Sequence, residues 1–338
     1  MTKKELEEYI LSIGLDTFGF IPLREFSELR TYFKNRQEKK LQNEFEEKDI
    51  EKRIHPSIYM EDGKTILSIA FPYHQKEPMK QNGFSIYTKG PDYHRVVRSY
   101  LDQICNFLHD HGYQASAFVD SNTLPERYIA YLAGVGFIGR NNMIITKRYG
   151  SFVFLGEIIT NMPIECEDVR HINEIKKYVE CNECRLCYQE CPTKSINDYR
   201  VNPNICLSYF TQKKELTDQE MNLIQENVFG CDYCQLKCPY NQMAMGIGLK
   251  DFAPMEYMNE ELEIYANMDN KYFKEKISGS SCGWRGKNVI RRNAIMQLAK
   301  QGKDVKKFLG DSAYINEYIE RSRHLFVKEK SNKNDTQT

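Results

Sequence analysis

The 338-residue sequence predicts an α+β fold in three parts: a mixed α/β domain over residues 1–165, a small cysteine-organised domain over 166–250 and a short helical region over 251–330, with a tail at 331–338. Three observations predict it. Short apolar, β-branched runs alternate with helix-period segments through residues 1–165. Eight of the eleven cysteines fall between residues 175 and 245, separated by short polar loops. From Gly283 onward the apolar residues recur at helical spacing.

Taken in order, Thr2-Lys3-Lys4-Glu5 reads as a capping box opening a first helix that Gly14 ends. Phe18 to Ile21 reads as a short strand. Arg24 to Glu51 is highly charged with a sparse apolar stripe and is expected to form a surface helix. Thr65 to Phe71, TILSIAF, reads as a buried strand. Tyr93 to His111 places Val96, Val97, Tyr100, Leu101, Ile104 and Leu108 at helical spacing. A strand is expected over Ala115 to Val119 and a helix over Pro125 to Ala133. Met143 to Thr146 and Phe152 to Ile159 are expected to pair antiparallel about a turn at Tyr149-Gly150. Later helices are expected around Val289 to Leu298, Val305 to Leu309 and Ile315 to Leu325; the tail SNKNDTQT has no apolar anchor and is expected to be disordered.

Lys+Arg and Asp+Glu both number 47, so whole-chain charge points to no particular partner. From Cys282 to Lys330 there are 12 Lys/Arg against 5 Asp/Glu, a surplus that suits a polyanion or a solvated helical face equally well. No apolar run approaches the roughly 18–20 residues of a membrane span. The charged start, MTKKELEEYI, lacks the apolar core of a secretory signal, so a cytoplasmic location and no membrane partner are expected. In a reducing compartment eleven cysteines are better explained by metal ligation than by disulfides.

The spacing supports metal. Cys181-x-x-Cys184-x-x-Cys187-x-x-x-Cys191-Pro192 is the run of two-cluster bacterial ferredoxins, in which the fourth cysteine ligates the other cubane. Cys231-x-x-Cys234-x-x-x-Cys238-Pro239 repeats its end without the opening cysteine, and Cys206 can supply the missing thiolate. The expected scheme is crossed: Cys181, Cys184, Cys187 and Cys238 on one [4Fe–4S] cluster, Cys206, Cys231, Cys234 and Cys191 on the other. Zinc would need only four ligands and would not call for a third cysteine in the first run or two Cys-Pro ends. Cys105 reads as a small core residue; Cys166 and Cys282 lie outside the pattern and carry no assignment.

Two other features have competing readings. Gly134-x-Gly136-x-x-Gly139 matches the dinucleotide fingerprint, but a helix precedes it and strands follow, the reverse of a βαβ unit. A tight turn or an approach to a flat cofactor remain. Asp120, at a strand end in FVDSNTLPER, is either a helix cap or an acid whose pKa desolvation raises beside a cavity.

The chain resembles the epoxyqueuosine reductase family, cobalamin-dependent enzymes of tRNA queuosine synthesis. The resemblance rests on Asp92-Tyr93-His94, Val119-Asp120-Ser121 with Glu126-Arg127, AGVGFIGRNN ending at Asn142, GSFVFLGEIIT, the two cysteine runs, and WRGKNVIRRNA from Trp284 to Ala294. It implies a cobalamin held between the N-terminal and ferredoxin-like domains, clusters that feed it electrons, and removal of the epoxide oxygen at the wobble position as water. It implies Asp120 as proton donor. It implies Arg53, His94, Ile144, Lys147, Leu155 and Asp232 as residues near the corrinoid, and Lys213 and Lys214 as contacts to the anticodon stem-loop. An electron donor such as flavodoxin or ferredoxin would be needed, and a monomer is expected. The chain departs from the family in a shorter C-terminus than many members and in its charged segment from Arg24 to Glu51. Two alternatives stay open: a related corrinoid reductase acting on a small molecule, in the manner of a reductive dehalogenase, and an electron-transfer or corrinoid-reactivating protein.

Overall fold

A computed structural model describes residues 1–75, 80–175, 177–197, 201–244 and 246–327. The tail at 331–338 lies outside the described residues. The chain opens with α1 (Lys3–Ser12), whose Thr2 hydroxyl accepts from the Glu5 amide while the Glu5 carboxylate accepts from the Thr2 amide. It continues with β1 (Phe18–Pro22), α2 (Arg30–Glu38), α3 (Ile50–Ile54), β2 (Thr65–Pro72), α4 (Tyr93–Asp110), β3 (Ala115–Phe118), α5 (Glu126–Leu132), β4 (Phe137–Ile138), β5 (Ile144–Ile145) and β6 (Val153–Thr160). The cysteine region carries α6 (Ile172–Ile175), α7 (Leu186–Glu190), α8 (Leu207–Gln212), α9 (Asp218–Leu223), α10 (Tyr233–Leu236) and α11 (Pro239–Gln242). Next come α12 (Leu262–Ala266), α13 (Asn270–Tyr272), α14 (Lys287–Lys300) and α15 (Ala313–Ser322). Among the described residues no helix is long and apolar enough to cross a membrane.

The main sheet has the order β1-β2-β6-β3, with every neighbouring pair antiparallel. Both faces are covered. On one, α1 and α4 bring Leu6, Ile10, Val97, Leu101, Ile104 and Leu108 onto Leu67, Ile69 and Phe71. On the other, α2, α3 and α5 bring Phe33, Ile54, Ile129 and Leu132 onto Ile66, Ala70 and Ile159. Coverage of both faces explains why β2 reads as a continuous apolar run rather than an alternating one. Each large side chain buried here contributes about 1.5–3 kcal/mol.

Two expectations are corrected. The segment from Arg24 to Glu51 is not one helix: helix α2 covers only Arg30–Glu38, and the chain turns at Lys40 with φ of 52°. Nor is it purely a surface element, because Phe26, Leu29, Phe33 and Leu41 are buried against the domain. The pairing of Met143–Thr146 with Phe152–Ile159 does not form. Gly150 does turn the chain, at φ of 58°, but β5 pairs with β4, and β6 inserts between β2 and β3. The β4–β5 hairpin explains the glycine motif: a Cβ at Gly136 would stand 2.6 Å from the Ile145 carbonyl oxygen. The glycines serve a close backbone approach, which is the tight-turn reading.

The cysteine region shares its core with the C-terminal helices. Leu207, Phe210, Met221, Val228 and Phe229 pack with Ile290, Ala294, Ile295, Leu298, Tyr318 and Ile319. Buried polar side chains of α14 fix the cysteine loops: Asn293 Nδ2 donates to the carbonyls of Thr211 (2.8 Å) and Val228 (2.7 Å), and Arg292 Nη1 to those of Lys213 and Lys214 (2.7 Å each). Replacement Asn293→Ala leaves two buried carbonyls without donors. It is expected to destabilise by on the order of 2–4 kcal/mol, read as a lowered midpoint in anaerobic thermal unfolding.

Candidate active site and cluster sites

The acid site is built where the end of β3 meets the start of α4. Asp92 caps α4, accepting from the His94 amide at 3.1 Å and contacting His94 Nδ1 at 2.8 Å. That cap fixes the imidazole so that Nε2 stands 3.1 Å from Asp120 Oδ2. The Tyr93 hydroxyl donates to the same oxygen at 2.6 Å. Tyr93 is itself clamped, stacked on Phe154 of β6 with ring centroids 4.3 Å apart and on His94 at 4.1 Å. Asp120 sits in the left-handed region at φ of 49°, a conformation uncommon outside glycine, and there its carboxylate meets two side-chain donors. Its side chain is 56% exposed, open to a reacting group.

The electrostatics place the proton. Hydrogen bonds to Asp120 and then Asp92 push His94 up to about 9. Burial works to raise the Asp120 carboxyl, but hydrogen bonds from His94 and Tyr93 outweigh it and hold the group below its ordinary value. This corrects the expectation that desolvation raises Asp120. Near neutral pH the imidazolium carries the proton and the carboxylate accepts from it.

Two further carboxyls stand behind Asp120. Burial, and then the Asp120 charge, push Glu126 up to about 7, while Asn122 Nδ2 donates to it at 2.8 Å. Glu157 is wholly buried mid-strand in β6, and burial with the nearby Glu126 charge raises it well above its ordinary value. Ser68 Oγ donates to its Oε1 at 3.2 Å, and its Oε2 has no protein partner. Sequence reasoning assigned no role to Glu126, Glu157 or Tyr93. One signal was legible: a glutamate inside the otherwise apolar strand VFLGEIIT.

The cysteines gather in two groups. Cys184 and Cys238 lie close to Cys181 and Cys187, and burial together with the neighbouring thiols raises Cys181 and pushes Cys187 up to about 12. Cys206, Cys231, Cys234 and Cys191 form the second such group. Four crowded thiols resist ionising together unless cations bind them, which is the condition a cluster site meets. The amides of Ser208 and Tyr209 also point at Cys206, a pattern that tunes cluster sulfurs. Among the described residues no three such side chains converge on one mononuclear ion. A cubane spreads four thiolates over four irons and suits the looser grouping. Cys105 is buried in α4, and buried Cys282 contacts Ser280 Oγ.

The second group faces the acid site across aromatic side chains. Gln235 Nε2, beside Cys234, donates to Ser151 O at 3.1 Å and stands 3.4 Å from the Tyr73 hydroxyl. Asn241 holds the Ser151 amide at 2.6 Å. Asp232 Oδ2 accepts from the Ile86 amide at 2.8 Å, whereas its buried Oδ1 has no protein partner, and burial pushes the group up to about 6. Tyr87 lies within the electrostatic influence of both Asp232 and Asp120. Phe154 thus gathers Tyr73, Tyr87 and Tyr93 into an aromatic cluster between the second thiol group and Asp120, and this flat apolar surface with the unpartnered Asp232 oxygen suits a large planar cofactor carrying hydrogen-bond donors.

The remaining predicted residues are dispersed. Leu155 lies on β6 opposite Ala70, on the same strand face as Glu157. Ile144 is buried in β5, and Lys147 is exposed just beyond it. Arg53 packs its guanidinium 4.0 Å from the Phe33 ring centroid and 3.5 Å from Glu46. Lys213 pairs with Glu220 at 2.5 Å, and Lys214 is exposed.

Comparison with known proteins bears on these sites directly. A family model described as "4Fe-4S double cluster binding domain" matches residues 180–241, which include all eight cysteines of the two groups. One described as "Epoxyqueuosine reductase QueG, DUF1730" matches residues 53–121, from Arg53 to just past Asp120. The epoxyqueuosine reductase of Bacillus subtilis is 36% identical over 318 residues, covering 88% of this chain and 78% of that protein. That of Lactococcus garvieae is 33% identical over 313 residues, covering 88% and 86%. This chain belongs to the epoxyqueuosine reductase family.

Solved epoxyqueuosine reductases share the fold. A crystal structure with an epoxyqueuosine-modified tRNA-Tyr stem loop has a TM-score of 0.82 at 30% identity, covering 96% of this chain and 98% of that one. The Streptococcus thermophilus enzyme has a TM-score of 0.80 at 31% identity, covering 96% and 90%. A Bacillus subtilis structure with its catalytic aspartate loop swung out of the active site has a TM-score of 0.79 at 30% identity, covering 96% and 98%. The family uses [4Fe–4S] clusters and cobalamin, in keeping with the two thiol groups and the aromatic cluster.

The His94 shift sets a pH expectation. A folded-state value of about 9 against about 6.5 unfolded makes its stabilisation complete below about pH 6.5 and lost as pH rises through about 9. Side-chain ¹⁵N NMR should show the wild-type imidazole titrating near 9, and Asp120→Asn should bring it back toward about 6.5. An unmoved titration in Asp120→Asn would mean that the His94–Asp120 pair does not form in solution.

Proposed function

We propose that this chain reduces epoxyqueuosine to queuosine at the wobble position of tRNA anticodons, with Asp120 delivering a proton to the departing epoxide oxygen. The observation that carries the reading is the Asp92–His94–Asp120–Tyr93 constellation, with Tyr93 stacked on the aromatic cluster that lies toward the second four-thiol group. The net reaction takes two electrons and two protons, converting the epoxide to an alkene and the oxygen to water.

The ligand scheme we propose is crossed: Cys181, Cys184, Cys187 and Cys238 hold one cluster, and Cys191, Cys206, Cys231 and Cys234 the other. Tyr73 lies near Cys234, so the second group is the one closer to the acid site. Electrons from a donor such as flavodoxin or ferredoxin then enter through the first group. Asp232 and the tyrosine cluster would hold the cobalamin, with Arg53, Ile144, Lys147 and Leu155 as outlying contacts. Bound cobalamin supplies the reducing equivalents for carbon–oxygen cleavage.

The protein's own residues manage the proton. A departing alkoxide is a poor leaving group, and general-acid assistance is worth about 10²–10⁴-fold. His94 carries the proton at rest and passes it through Asp120 Oδ2, and Tyr93 keeps that oxygen aimed. Lys214 and Lys213 supply positive charge for RNA phosphates, Lys214 more fully because Glu220 already engages Lys213. The protein acts as a cytoplasmic monomer.

Two measurements check this. Anaerobically reconstituted protein should bind about eight iron atoms per chain and no zinc. With a strong reductant it should convert epoxyqueuosine in a tRNA-Tyr stem loop to queuosine, and Asp120→Asn should slow single-turnover conversion by about 10²–10⁴-fold. A fully active Asp120→Asn removes the acid role, and a wild type inert on the modified RNA removes the substrate assignment.

A further inference from the structure

Three separated segments place an aromatic and cationic cluster on one surface. Phe45 comes from the loop after α2, Tyr209 from α8, and Trp284 with Arg285 from the turn before α14. Phe45 meets Trp284 edge-on at 5.4 Å between ring centroids and Tyr209 at 5.6 Å. The Arg285 guanidinium lies 4.7 Å from the Trp284 ring and 5.5 Å from that of Phe45. It is fixed there by donation from Nε to the Gln212 carbonyl at 2.6 Å and by Glu44 at 3.9 Å. Lys213 extends the series, 5.9 Å from the Tyr209 ring. Despite these contacts Trp284 remains 56% exposed and Phe45 44% exposed.

Exposed aromatic side chains clustered in this way mark an interaction site rather than scattered surface residues. A protein partner would need a face of roughly 800 Å² on this side. An indole face with a phenyl ring edge-on beside it falls far short of that, whereas it matches one nucleobase. Flat aromatic rings interleaved with guanidinium and ammonium groups are the surface on which unpaired bases stack. On the side of Phe45, Glu46 reaches Arg36 at 2.7 Å and Arg53 at 3.5 Å, so two further guanidiniums lie beside the patch.

We infer that Trp284, braced by the edge-on Phe45 and by Arg285, forms a stacking platform for one unpaired base of the RNA whose modified nucleotide is presented to Asp120. The inference rests on the proposed RNA substrate and adds the place where a second base is held. It needs no base-specific hydrogen bond, so the platform sets loop geometry rather than reading sequence.

Trp284 is the chain's single tryptophan, so the platform carries its own probe. Reconstituted holoenzyme is titrated anaerobically with a synthetic unmodified tRNA-Tyr anticodon stem loop, following tryptophan emission and, in parallel, anisotropy of end-labelled RNA. The expected result is saturable quenching with the same midpoint as the anisotropy curve. Trp284→Ala and Phe45→Ala should each weaken binding about tenfold to a hundredfold, with iron content unchanged and Trp284→Phe restoring most of the loss. The two positions lie on different segments, so either variant decides the matter if the other fails to fold. RNA binding without quenching, and with wild-type affinity in both alanine variants, overturns the platform while leaving the RNA reading intact. Sedimentation showing a dimer that Trp284→Ala dissociates would assign the patch to self-contact and also overturn it. No RNA binding by the wild type overturns both.

Discussion

The constraint on which the cysteine region and its docking to the sheet domain depend is the gathering of thiols from two separated stretches of chain into two groups. Cys238 comes back to Cys181, Cys184 and Cys187, while Cys191 goes forward to Cys206, Cys231 and Cys234. Between the two cysteine runs, α8 and α9 bury their apolar residues on α14 and α15. The second cysteine run packs against the β6 turn, where Gly150 is required because a Cβ would stand 2.1 Å from Asn241 Oδ1. Crowded thiols repel once ionised, so bound iron would favour this arrangement and couple cofactor loading to folding.

The same docking creates the reaction space. Gln235 and Asn241 hold Ser151 at the start of β6, and β6 carries Phe154, which fixes Tyr93 by stacking. Tyr93 and His94 then fix Asp120. A path of side chains therefore runs from the second thiol group to the acid. The division of labour at that acid is electrostatic: a carboxylate kept charged by two donors, and a histidine that stores the proton between Asp92 and Asp120. Substrate that displaces either donor shifts the proton toward Asp120.

Much of this was legible in the sequence because local physics dictated it. The Leu101–Ile104–Leu108 stripe, the apolar TILSIAF strand and the Thr2 capping box each became the expected element. The cysteine spacing pointed to a two-cluster domain, which the family match over residues 180–241 bears out, and to the crossed ligand scheme that we propose. What stayed hidden was decided by distant contacts. Residues 143–146 lay close in sequence to 152–159 but paired with 137–138, because β6 had two better partners in β2 and β3. The charged segment after Arg24 broke into pieces so that Phe26, Leu29 and Phe33 could cover the sheet. The direction of the Asp120 shift could not be read without knowing that His94 and Tyr93 meet on one oxygen. Nor could the Phe45–Trp284 contact, whose partners stand far apart in the chain.

The crossing is tested most directly by paired substitutions read as iron content and cluster spectra after anaerobic reconstitution. If Cys238 belongs with the first run, Cys181→Ala with Cys238→Ala damages one site twice and leaves the other, with about four irons per chain. Cys231→Ala with Cys238→Ala damages both sites and leaves neither intact. The reverse pattern, one cluster surviving the Cys231/Cys238 pair and none surviving the Cys181/Cys238 pair, would show that each run closes on itself and would contradict the account.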